Sequence, residues 1–388
     1  MMSRRPVRSH RRRRTMSMAA TSILAGVAVA VTSCGSENGS SPAPDKEAPG
    51  STARPRVDPS DTATAWASPG PDPFATATAS SAAAGGITCP AGGTTVSDAG
   101  DLRSALATAK PGTVIRIADG VYKGKFKLTA TGTEAAPIWL CGSKDAILDG
   151  TEDDDQVNYV LHLDGASWVR VVGFTVRNGQ KGVIGDRLQH SIIAQLRVNT
   201  IGDEAIHLRT ASSDNTVVGN VIRDTGNRRE KFGEGVYIGS AESNWCTYTD
   251  CEPDRSDRNS VIGNDIAGTT SENIDIKEGT TGGVVRGNTL SSDALVEADS
   301  WIDVKGNGWL VEDNIGTGGG TLEDGIQTHV IKKDWGRQNT IRRNTLTVNA
   351  KGFGVYIHDG DKTQNIVGCD NQVTGAQSGP SNIDCTDS

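Results

Sequence analysis

Aromatic side chains are scarce in this chain: 388 residues include only 7 Trp, 5 Tyr and 5 Phe. Helix-like periodicity is also thin, while glycine is abundant at 47 residues, a balance that disfavours a helical bundle. No Cys-x-x-Cys or Cys/His cluster is present, which excludes an ordinary zinc site. No P-loop and no serine-triad motif is visible. A basic excess is missing as well. Beyond residue 86 the chain carries 29 basic and 41 acidic residues, a net charge of −12. That excludes a nucleic-acid binder, which would show a basic face. A polyanionic substrate would need a local basic site or a bound cation.

No apolar run after the first 34 residues is long enough to span a bilayer, and those first residues read as an address. Seven arginines among the first fourteen precede the apolar stretch 18–31, too short for a comfortable membrane span. Val31-Thr32-Ser33-Cys34 then resembles a bacterial lipoprotein lipobox. The resemblance implies cleavage before Cys34 and lipidation of that cysteine, with Sec and twin-arginine export both open. Residues 35–86 are dominated by Ser, Pro, Ala, Thr, Gly and Asp, with almost no large apolar side chain. Such a segment does not bury enough surface to offset its ordering entropy. It reads as a disordered tether of 52 residues, with a reach of roughly 40 Å. The expected protein is therefore extracytoplasmic, lipid-anchored to the cell membrane or secreted, and monomeric. Its only membrane contact is the anchor, and its folded domain spans residues 87–388.

With Cys34 lipidated, six cysteines remain, an even number that suits disulfides in an exported chain. Proximity pairs Cys246 with Cys251 and Cys369 with Cys385, which leaves Cys89 for Cys141.

A short pattern recurs through the second half at intervals of 24 to 38 residues: Ile206-His-Leu-Arg209, Val236-Tyr-Ile-Gly239, Ile274-Asp-Ile-Lys277, Ile302-Asp-Val-Lys305, Ile326-Gln-Thr-His329 and Val355-Tyr-Ile-His358. A second apolar run follows most of them and ends in Asn220, Asn264, Asn288, Asn314 or Asn344. Strands this short need neighbours, and stacked coils supply them. The expected fold is all-β: a single-stranded right-handed parallel β-helix. Asparagine at a fixed place suits a left-handed bend and an amide ladder. Ser97–Lys110 reads as a capping helix over the first coil, with Ser97 or Asp98 as its cap. The tail after Val373 is expected to shield the other end.

Period-two alternation turns Ile, Val and Leu inward and their neighbours outward. One outward column then holds His207, Tyr237, Asp275, Asp303, Gln327 and Tyr356. The other holds Arg209, Gly239, Lys277, Lys305, His329 and His358. Neighbours in a column should lie about 4.8 Å apart. Stacked lysines repel, so one of Lys277 and Lys305 is expected to have a depressed pKa. Acids gather just before the strands: Asp203, Glu204, Glu234, Glu272, Asp299, Glu323 and Asp324. Converging carboxylates could hold Ca²⁺, a hard ion, with Glu272, Asp275 and Asp299 as candidate ligands. Two loops flank the stripe: 227–231, with Arg228 and Arg229, and the insertion 240–257, with Trp245 and Tyr248. They could wall a groove for an acidic polysaccharide, in which Tyr237, His329 and Asp303 would also touch the sugar.

Two stretches resemble polysaccharide lyase family six, the chondroitinase B and alginate lyase family. The opening segment contains Leu102-Arg-Ser-Ala-Leu, Ala118-Asp-Gly-Val-Tyr122 and Leu148-Asp-Gly150. The second stretch is Glu272-Asn-Ile-Asp-Ile-Lys277 followed by Ile302-Asp-Val-Lys305-Gly-Asn307. The resemblance implies that Lys277 is the Brønsted base, Glu272 a calcium ligand, and Lys305 the occupant of a catalytic arginine's place. Gly306 departs from the family's histidine and Thr270 from its second calcium-binding glutamate. The implied reaction is β-elimination. A base removes the C5 proton while Ca²⁺ or Arg209 neutralises the C6 carboxylate. Lys305, His207, Tyr237 or His329 would then protonate the leaving C4 oxygen. Two alternatives remain: a β-helix glycoside hydrolase using Asp275 and Asp303, and a non-catalytic glycan-binding or cell-envelope lipoprotein.

Overall fold

A computed structural model describes residues 87–152, 155–156 and 158–387. The leader with Cys34 and the tether 35–86 lie outside the described residues. Apart from a small antiparallel pair, Thr151–Glu152 with Asp155–Gln156, the described strands form three parallel sheets of eleven, ten and ten strands, stacked as successive coils of a right-handed β-helix. The first sheet runs from Thr94–Val96 to Ile366–Val367, the second from Gly120–Lys123 to Gln372–Ala376, and the third from Phe126–Leu128 to Gly379–Ser381. Each full coil visits the three in that order, one strand more than the two recurring runs of the sequence indicate.

The inward positions are those the alternation indicates. Ile206, Leu208, Ile274, Ile276, Ile302 and Val304 are all fully buried. Two tryptophans, Trp301 and Trp309, fill the wider coils, and glycine makes room for them. A Cβ built on Gly283 would meet the Trp309 ring at 2.1 Å, and one on Gly316 would meet the Trp301 ring at 2.6 Å.

The asparagine column is a continuous ladder. Asn220 Nδ2 donates to Asn264 Oδ1 at 2.9 Å, and the pattern repeats through Asn288, Asn314, Asn344 and Asn371. Each amide also donates to a main-chain carbonyl, as Asn288 does to Val261 at 2.9 Å. The left-handed bend, however, falls one residue earlier than expected: Gly219, Gly263 and Gly287 have φ of 62, 60 and 65°, and Asp313 and Arg343 have 57 and 53°. The preceding residue makes the turn so that the asparagine itself points inward, between coils.

Helix α1, Ala99–Ala107, caps the first coil. Asp98 is its N-cap, accepting from Asp101 N at 2.8 Å, and Leu102 and Leu106 are buried beneath it. At the other end the tail adds the last strands of two sheets and returns to the edge of the first, where Thr386 N donates to Val367 O at 2.8 Å. The disulfides are Cys89–Cys141, Cys246–Cys251 and Cys369–Cys385, as proximity suggested. They suit an oxidising compartment. Among the described residues no helix is long and apolar enough to cross a membrane.

Substituting Gly283→Ala should cost about 1–3 kcal/mol, because the methyl group must displace an indole in a packed core. A urea melt reads this directly. An unchanged midpoint would show that Trp309 is free to move.

Candidate active site

The third sheet carries the outward stripe in the expected register. Tyr237 pairs with Asp275, Asp275 with Asp303, Asp303 with Gln327, and Gln327 with Tyr356. Two residues on, the Lys277, Lys305, His329 and His358 amides each donate to the preceding coil, which aligns the second column. Loops line both edges. Residues 227–233 and 292–300 precede their strands, whereas 240–257 and 330–337 follow theirs. The last two are clamped together: the Lys332 ammonium pairs with Glu242 and lies 5.1 Å above the Trp245 ring. Under these loops the stripe is buried, with His207, Asp275, Asp303 and Lys305 all below a tenth exposed.

Stacking the two lysines does not depress either pKa, contrary to the expectation from like-charge repulsion. Asp275 lies between them, with Lys277 Nζ 2.6 Å from one carboxylate oxygen and Lys305 Nζ 2.8 Å from the other. Lys305 also reaches Asp303 at 2.6 Å, and His329 Nδ1 sits 2.8 Å from that same carboxylate. Charges therefore alternate down the stripe. Burial would lower the pKa of Lys277, but Asp275 and Glu272 outweigh it and raise it well above the ordinary 10.5. Lys305 is raised likewise, by Asp275 and Asp303 against its burial. Asp303 stays ionised: burial opposes its charge, yet Lys305 and His329 prevail. An ionised Asp303 does not suit the general-acid role of a glycoside hydrolase and fits only that of its base or nucleophile.

Glu234, Glu272 and Asp275 bring carboxylate oxygens within 4.8 Å of one another. One Glu234 oxygen is buried without a hydrogen-bond partner. Burial, reinforced by Glu204, Glu272 and Asp275, raises the Glu234 pKa well above 4.5. This donor set, all hard oxygens with one unsatisfied, fits either a retained proton or a hard cation such as Ca²⁺. Asp299 is exposed and stands outside the cluster, because it closes a surface loop and its carbonyl receives the amides of Glu323 and Asp324.

Several expected residues are placed but committed elsewhere. His207 Nε2 lies 2.8 Å from the Gly239 carbonyl, and burial lowers its pKa, so the ring is neutral and its one N–H is taken. Its unpartnered Nδ1 faces Glu204, which is ion-paired with Lys181 at 2.8 Å. Arg209 donates to Asp186 at 2.8 Å and to the Tyr159 hydroxyl at 3.0 Å, with Tyr248 4.2 Å above its plane. Sequestered in this way, it neutralises Asp186. Trp245 is not the sugar platform anticipated: only 3% exposed, it donates to the Ser240 carbonyl and anchors its loop. Arg228 pairs with Asp203, and Arg229 lies over Phe232 on the exposed rim.

Tyr237 remains uncommitted. Its hydroxyl makes no hydrogen bond among the described residues, its ring meets His207 edge-on at 4.3 Å, and Lys277 Nζ lies 5.0 Å from the ring centroid. Burial and the surrounding carboxylates raise its pKa well above 10, so it holds its proton.

No family model and no curated protein sequence matches this chain. Solved structures do. An alginate lyase from Paenibacillus sp. str. FPU-7 is 32% identical, over 75% of this chain and 98% of that one, with a TM-score of 0.69. The chain belongs to that alginate lyase family. The enzymatically active domain of bacteriophage CBA120 tailspike protein 2 is 10% identical over 74% of this chain and 44% of that one, with a TM-score of 0.50, a likeness of fold alone. A mannuronic acid specific family 6 lyase from human gut microbiota is 14% identical, over 68% and 66%, with a TM-score of 0.45. At that distance it says nothing about the site. The alginate lyase from Paenibacillus sp. str. FPU-7 shares the fold described above.

Asp186, Tyr159, His162 and Lys181 were not singled out by sequence, because the strands 159–164 and 181–186 lack the later, regular pattern. Asp186 can be tested directly. Burial opposes its charge, but His162 and Arg209 outweigh it and hold its pKa well below 3.8. A depressed carboxylate stabilises the fold above its unfolded pKa and loses that contribution as pH falls. Stability should therefore decline below about pH 4. Asp186→Asn, which strands a buried guanidinium, should cost about 3–5 kcal/mol at neutral pH. Chemical denaturation across pH 3–7 tests both, and a variant as stable as the parent would remove Asp186 from this account.

Proposed function

We propose that this chain is an extracytoplasmic polysaccharide lyase, anchored through Cys34, that cleaves a uronate polymer of the alginate class by β-elimination. The observation that supports it is the placement of Lys277 Nζ 5.0 Å from the ring of Tyr237, whose hydroxyl makes no hydrogen bond among the described residues, in a chain of this family. Lys277 is the base: it takes the C5 proton, the electron pair forms the C4–C5 double bond, and the C4–O bond breaks. Tyr237 gives the departing oxygen its proton. Lys305, held between two carboxylates, keeps Lys277 and Asp275 in place. Ca²⁺ held by Glu234, Glu272 and Asp275 would supply Lewis-acid neutralisation of the substrate carboxylate.

A base that rests as an ammonium works only in its deprotonated fraction. The value of kcat/KM should therefore climb with pH across the neutral and alkaline range, because that profile reports the free enzyme. A plateau already reached near pH 7 would assign proton abstraction to another group. Lys277→Ala and Tyr237→Phe should each lower kcat about 10²–10⁴-fold, followed as ultraviolet absorbance of the unsaturated uronate. Reducing ends formed without that absorbance would mean hydrolysis, and binding without turnover would mean a lectin-like role. Full activity in Lys277→Ala would dismiss it as the base.

Millimolar Ca²⁺ should raise the thermal midpoint of the parent and not of Glu234→Gln, and chelation should slow elimination. A parent indifferent to both would leave Glu234 holding a proton.

A further inference from the structure

The stripe does not stop at the lysines. Two coils past Lys305, the strand Phe353–Ile357 brings three rings together at the end of the same columns. Tyr356 follows Gln327 in register, and the His358 amide donates to Thr328 O at 3.1 Å, which aligns it with His329. Phe353 and Tyr356 are stacked, with centroids 5.9 Å apart and planes at 29°. Tyr356 and His358 meet edge-on at 6.0 Å, and His358 lies 5.0 Å from His329.

These rings differ from the aromatics that build the core. Tyr122, Phe126, Phe174, Trp301 and Trp309 are sealed inside, whereas Phe353 and Tyr356 are only partly covered and His358 is exposed. On an outward strand position, an exposed ring forgoes the burial that would stabilise it. Here Tyr356 and His358 stand at outward positions, on the line that carries Lys277, Lys305 and His329, and Phe353 at the strand's start stacks on Tyr356. At about 4.8 Å per coil, His358 stands roughly 14 Å from Lys277 along the axis.

We propose that Phe353, Tyr356 and His358 form a sugar-binding platform, a remote subsite that holds a pyranose ring of the same polyuronate chain whose scission Lys277 performs. The assignment rests on the lyase reading for the identity of the chain. Pyranose rings present a face of C–H groups that packs on aromatic planes, so the platform grips the ring while the cations further along the stripe meet the carboxylates. Only substrates long enough to reach it benefit.

The test uses the full chain. In a Lys277→Ala background, calorimetry with a saturated mannuronate hexamer and dimer should show Tyr356→Ala and His358→Ala weakening hexamer binding by about threefold to tenfold each. Dimer binding should not change. In the Lys277 parent, the same substitutions should raise KM for the polymer and leave kcat on the shortest cleavable oligomer unchanged, with thermal midpoints matching the parent. Equal effects on hexamer and dimer, or none on either, would overturn the platform, as would a hexamer that does not bind. If the hexamer binds and the substitutions weaken it, yet no uronate polymer is ever eliminated, the platform stands and the lyase reading falls.

Discussion

Hydrogen bonding between successive coils is the constraint on which everything else in this molecule depends. Each strand has only three to six residues in most coils, and none would persist alone. Paired in parallel above and below, they fix a rise of about 4.8 Å per coil. That rise sets the spacing of every side chain on the surface. It brings Asn220 within reach of Asn264, and it places Asp275 where two lysines from consecutive coils close on it.

Asp275 shows how such a lattice manages charge. A column of cations at sheet spacing would repel itself apart. Offsetting a second column of carboxylates by two residues, on the same face of the sheet, turns repulsion into an alternating chain, Lys277, Asp275, Lys305, Asp303 and His329, with contacts of 2.6–2.8 Å. Burial beneath the flanking loops strengthens each pairing, since little water is left to screen it. The same burial leaves one Glu234 oxygen without a hydrogen-bond partner, beside the carboxylates of Glu272 and Asp275.

The architecture was legible from sequence because it is periodic. Inward aliphatics, the asparagine column, the outward register, the cap helix and all three cysteine pairs could be read from spacing. What escaped was whatever depends on depth and on loops. Spacing could place Lys277 beside Lys305, but not the carboxylate that bridges them, so the sign of their pKa shift came out reversed. Trp245 looked like a platform because loop aromatics often are; its burial under Lys332 follows from a contact across 87 residues that no local pattern encodes. The network of Asp186 with Arg209 lay in early coils whose strands are too irregular to align by eye.

The asparagine ladder has a consequence for how such a protein changes over time. Each coil from Asn220 onward contributes one rung to the ladder, a layer to the core and a position on the outward stripe. Gaining or losing a whole coil therefore preserves every rung-to-rung bond while lengthening or shortening the groove by a fixed step. Partial insertions are confined to the turns, where 240–257 already resides. Groove length and groove walls can thus vary independently, the first in quanta and the second continuously.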